Sequence, residues 1–195
     1  PRRGALRGAQ RTRLPMIDQG RTDADPRARQ LDEWIAGTLG TRAYALAPAS
    51  ADASFRRYFR VTPEAPALGE RTLIAMDAPP PAEDCGPFVR IAALLAAAGV
   101  HAPRVLARNA EDGFLLLTDL GSLTYLADLA ADAGRADALY RDALRALVRI
   151  QAGGARYAQD LPPYDERLLR FEMSLFTDWL LGRHLSLDLS PAESA

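Results

Sequence analysis

Soon after the chain begins, apolar positions recur at helical spacing. Asp25-Pro26 reads as a cap followed by a first-turn proline, and Leu31, Trp34, Ile35 and Leu39 share one face until Gly40. Short extended segments follow. Tyr44-Ala45-Leu46 is one. Phe55 to Thr62 is another, with Phe55, Arg57, Phe59 and Val61 on one face and Arg56, Tyr58 and Arg60 on the other. The small residues Pro48 to Ser54 read as the turn between them. Thr72 to Asp77 reads as a third strand, stopped by three prolines. Phe88 to Ala98 is predicted to be a helix closed by Gly99, burying Phe88, Ile91, Leu94, Leu95 and Ala98. Arg104 to Arg108 and Phe114 to Thr118 flank a turn at 109–113 and read as a hairpin. From Leu123 onward the pattern is helical, notably over Ala136 to Gln151 (closed by Gly153-Gly154) and Asp165 to Leu181. Five strands with one helix after the third, then helices alone, predict a segregated α+β fold with an antiparallel sheet.

Composition removes several function classes. The chain has 195 residues and a net charge of −1, so it shows no electrostatic footprint for nucleic acid or an anionic membrane. One cysteine and two histidines supply neither a disulfide nor a structural zinc site. Apolar runs fall short of the roughly 20 residues of a membrane span, and a cytoplasmic protein is expected. All 24 basic residues are arginine. Any step that ordinarily uses a lysine ammonium must therefore use arginine, which differs in shape and hydration.

Local chemistry is sparse. Cys85 reads as a small helix-entry residue, and Glu83-Asp84 as a charge pair favouring the following helix dipole. Residues 1–15 are Arg-rich and without an apolar h-region, which argues against a secretory signal and for an extension ahead of a start at Met16. Ser190, Pro191 and Glu193 form a capping box for a helix the chain does not complete. The expectation is the N-terminal part of a longer protein, with one lobe over 16–121 and the start of a helical lobe over 122–195.

The run from His101 to Gly121 (HAPRVLARNAEDGFLLLTDLG) resembles the aminoglycoside phosphotransferase (choline kinase-like) family, whose fold is protein-kinase-like. The segments SADASFRRYFRV, MDAPP, CGPFVRIAALL and YDERLLRFEMSLFTDWLL resemble a narrower branch, the anomeric kinases of N-acetylmuramic acid and N-acetylglucosamine used in cell-wall recycling. The resemblance spans about Pro26 to Leu189. It implies ATP and Mg²⁺ as cofactors, with an amino sugar as the phosphate acceptor. An aminoglycoside or choline-like alcohol is the alternative acceptor, and a non-catalytic scaffold is the rival from another class.

Carried onto this sequence, the resemblance implies that adenine lies against backbone groups of Thr118, Asp119 and Leu120. It also implies that the turn Ala53 to Arg57 covers the phosphates. That turn lacks the glycines that let backbone approach phosphate, so Ser54, Arg56 or Arg57 would have to contribute side chains. Ala75-Met76-Asp77 falls where kinases carry Ala-x-Lys, the lysine reaching the α/β-phosphates. If Ala75 roofs the adenine, parity turns Asp77 toward the phosphates, and Arg57 (or Arg56) supplies the missing positive charge with Asp77 orienting it. The family's catalytic His-x-Asp loop and metal-binding Asp do not occur in this sequence, so no catalytic residue is assigned and these 195 residues alone are expected to be inactive.

Overall fold

The computed structural model describes residues 25–51, 54–187 and 190. The expected extension over 1–15, the start at Met16, Ala53 of the phosphate-covering turn and most of the final capping box lie outside the described residues.

Helix α1 (Pro26–Leu39) is capped by the Asp25 side chain, which accepts from the backbone N–H groups of Arg27 and Ala28, and it ends at Gly40 in a left-handed conformation, φ +68°. Five strands follow: β1 (Tyr44–Ala51), β2 (Arg57–Pro63), β3 (Leu73–Asp77), β4 (Val105–Asn109) and β5 (Phe114–Thr118). They form one antiparallel sheet in the order β1-β2-β3-β5-β4, with α2 (Gly86–Ala97) inserted between β3 and β4. This is the expected α+β layout of a kinase-like lobe.

Both sheet faces are covered, which is why all five residues of β5 are buried. On one face Phe59, Val61, Leu73, Ala75, Phe114 and Leu116 pack with Leu31 and Ile35 of α1. On the other, Met76, Leu115 and Leu117 pack with Cys85, Phe88 and Val89 at the start of α2. Strand period two assigns alternate residues of β3 and β5 to opposite helices.

Three expectations are corrected. Pro48 to Ala51 are not a turn but the end of β1, paired with β2 through an irregularity between Pro48 and Ser50. An edge strand tolerates a proline and small residues because its outer N–H groups need no partner. Strand β2 begins at Arg57 rather than Phe55, which is left 72% exposed. Helix α4 (Ala136–Gly154) runs through the glycines expected to stop it. A Cβ on Gly153 would lie within 2.8–3.0 Å of Ala98, so the bare backbone there permits close approach of α4 to the end of α2.

The remaining helices are α3 (Tyr125–Ala131), α5 (Glu166–Leu175) and a π-helical turn over Phe176–His184. None of the described residues beyond Thr118 is fully buried, and Phe171, Phe176 and Trp179 are each 56% exposed. No helix among the described residues is long and apolar enough to cross a membrane.

Candidate nucleotide cleft and the family it belongs to

The segment after β5 is fixed at both ends and free in the middle. Thr118 donates its backbone N–H to the Arg104 carbonyl and accepts from the Arg104 N–H at Oγ1, both at 3.0 Å. Asp119 receives two bonds from Arg60 of β2, from Nε at 2.6 Å and from Nη2 at 3.1 Å, and a third from the Gly121 N–H at 2.8 Å. Arg60 also donates to the Gly121 carbonyl at 3.2 Å. Between these anchors, the Leu120 backbone makes no hydrogen bond within the described residues. The guanidinium of Arg60 holds the Asp119 carboxyl below the usual aspartate range.

This segment, residues 118–121, forms one wall of a cleft of about 240 Å³. The sheet contributes Tyr58, Arg60, Ile74 and Leu117, and α2 contributes Phe88. An apolar floor beside unbonded backbone suits a flat heteroaromatic base, which needs apolar contact and one or two directional bonds.

Of the residues singled out from the sequence, Thr118, Asp119 and Leu120 lie together at this cleft. Ser54 and Arg56 stand at the turn entering β2, where the Arg56 N–H donates to Ser54 Oγ at 3.2 Å. Arg57, Ala75 and Asp77 do not face the cleft. Ala75 is fully buried beneath α1. Asp77 is also wholly buried, bonded by Arg57 Nε and Nη2 at 2.9 and 2.6 Å and by Arg27 Nε at 2.8 Å. Arg57 additionally pairs with Asp25, the cap of α1. The expected Arg57–Asp77 pair therefore exists, and it docks α1 to the sheet without lining the cleft. The register puts Ile74, not Ala75, in the cleft wall, and Met76 rather than Asp77 on the α2 side.

Sequence reasoning missed Arg60, Ile74, Phe88 and Glu83. The shared parity of Arg56, Tyr58 and Arg60 was the available signal for Arg60. Glu83 has specific partners beyond the expected charge pair at the start of α2. It pairs with Arg56 at 3.0 Å and accepts the Phe55 N–H at 3.2 Å, whereas Asp84 accepts from Gly86 at the helix start.

Comparison with known proteins agrees with this architecture. The chain is 50% identical over 175 residues to the N-acetylmuramate/N-acetylglucosamine kinase of Pseudomonas aeruginosa, covering 85% of this chain and 49% of that protein. It is 44% identical over 183 residues to the protein of that name from Pseudomonas putida, covering 88% and 51%. The corresponding protein of Neisseria meningitidis serogroup B is 31% identical over 163 residues, covering 83% and 46%. The chain thus spans about half the length of the curated relatives it matches. Residues 45–195 match the phosphotransferase enzyme family, and with that match over the sheet, the cleft and the helices beyond it, the chain belongs to this family.

Proposed function

We propose that the whole protein is an ATP-dependent kinase that transfers the γ-phosphate to the anomeric hydroxyl of N-acetylmuramate or N-acetylglucosamine. The observation that carries this reading is the apolar cleft lying against the unbonded Leu120 backbone, in a chain of a phosphotransferase family. The relatives' names supply the acceptor sugar. In this reading the sheet with α1 and α2, within residues 16–121, forms the nucleotide lobe, and the helices over 122–195 open the lobe that receives the sugar.

The adenine lies against Ile74 and Leu117, neighbours on adjacent strands, and bonds to the Leu120 backbone, with Thr118 and Asp119 fixing the segment on which that backbone lies. Among the described residues no three His, Cys, Asp or Glu side chains converge to hold a metal ion. Their contribution is to hold and orient the nucleotide.

The test is to offer the full-length gene product ATP with N-acetylmuramate, N-acetylglucosamine, an aminoglycoside and choline, and to follow the phosphorus NMR spectrum. A new sugar 1-phosphate signal is the expected result. Phosphate on an aminoglycoside or on choline moves the protein to another branch of the family. Nucleotide binding without transfer to any acceptor would replace the enzyme by a scaffold.

A further inference from the structure

A kinase lobe ordinarily holds the α/β-phosphates with a strand lysine that is itself held by a helical glutamate. Neither partner is available here. The chain has no lysine, Met76 is buried on the α2 side of β3, and the α2 sequence GPFVRIAALLAA carries no acid.

The described residues nevertheless hold one ion pair between the turn entering β2 and the entrance of α2. Arg56 and Glu83 meet at 3.0 Å, through Arg56 Nε and Glu83 Oε2, and both side chains are largely buried. Glu83 Oε1 accepts the Phe55 N–H at 3.2 Å, so one carboxylate fixes both the arginine and the backbone beside it. Tyr58, which lines the cleft, shares the strand parity of Arg56 and is its electrostatic neighbour. Along β2, Arg60 stands at the end of the cleft formed by residues 118–121 and is committed to Asp119. Arg56 stands four residues away, roughly 13 Å along an extended chain, at the end toward which a triphosphate projects when its base lies against residues 118–121. An arginine bonded at Nε keeps two terminal amino groups for a second planar acceptor.

We propose that Arg56 holds the α- or β-phosphate of the nucleotide, and that Glu83 is its positioning residue, the pair replacing the lysine and glutamate of other kinases. This rests on the reading of the cleft as a nucleotide site. Arg57, its neighbour in sequence, is excluded from the role by its bonds to Asp25 and Asp77 on the other face.

The test is calorimetric titration of the full-length protein with adenosine and with ADP. In Arg56→Ala, ADP affinity falls about tenfold or more while adenosine affinity is unchanged. Arg56→Lys recovers part of the loss. Glu83→Gln weakens ADP but adds little in the Arg56→Ala background, because a positioning residue acts only through the group it positions. Equal ADP affinity in Arg56→Ala and wild type overturns the proposal, as does a parallel loss of adenosine, which marks a structural role. Full additivity of the two substitutions overturns the role of Glu83. A wild-type protein that binds neither adenosine nor ADP removes the nucleotide reading itself, and the proposal with it.

Discussion

Arg60 and Asp119 are 59 positions apart and are joined by two bonds, at 2.6 and 3.1 Å, with the Asp119 side chain only 5% exposed. This fork ties the middle of β2 to the segment that follows β5. Because Arg60 lowers the Asp119 pKa in the folded state, the pair's stabilisation is fully present above the unfolded aspartate value near 3.9. It is lost as pH falls through the lowered native value. Urea midpoints measured from pH 7 down to pH 2 should therefore decline less steeply in Asp119→Asn than in wild type. Parallel declines would show that the pair contributes nothing to acid sensitivity.

A second acid-sensitive point lies under α1. Asp25 is held below the usual range by its hydrogen bond from Arg57, and Asp77 bridges Arg57 and Arg27 without solvent contact. Removing the buried carboxylate takes the carboxylate partner from Arg27 and leaves Arg57 with Asp25 alone. Asp77→Ala should lose about 3 kcal/mol of unfolding free energy, read from chemical denaturation. A loss near zero would mean that both arginines reach water when the carboxylate is gone.

Two left-handed glycines separate conformational strain from steric clash. Gly113 has φ +73°, and a Cβ there would lie 1.9 Å from the Ala78 carbonyl oxygen. Gly40 has φ +68° with nothing within 4 Å. Gly40→Ala should lose about 1 kcal/mol, the left-handed cost alone, whereas Gly113→Ala should lose several times that or fail to fold. Equal losses in thermal melts would contradict the close approach of residue 113 to Ala78.

The junction of α2 with α4 gives a fourth prediction. Gly153→Leu places a side chain against Ala98, where a single Cβ already meets backbone at 2.8 Å. Amide exchange at the end of α2 and in the last turns of α4 should accelerate, with β3 and β5 unchanged. Uniform protection across all four elements would show that the glycine is not a packing requirement.

Much of this fold was readable before any coordinates. Asp25-Pro26, the spacing of Leu31 and Ile35, and the run GFLLLT specified α1 and β5 because capping and burial leave direct marks on composition. Residues 48–51 carried no such mark. Their strand conformation comes from pairing with β2, a tertiary constraint that small residues neither announce nor oppose. Family resemblance singled out Thr118, Asp119 and Leu120, which line the cleft, but the facing of β3 was not legible. Four of the five residues in LIAMD are fully buried, so no polar alternation shows which side meets the cleft. The one charged residue, Asp77, pointed the wrong way as a clue, because its partners Arg27 and Arg57 are contributed by α1 and β2.

Helix α2 has backbone contacts of consequence at both ends. At its far end Gly153 lies against Ala98 with no side chain between them, and Arg156 donates to the Ala97 carbonyl at 3.1 Å. At its near end Glu83 grips the turn that enters β2. Twelve residues of helix, about 18 Å, join the two. The helix thus ties the packing of α4 to the turn that carries Arg56: one short segment of chain sets both relative to the sheet.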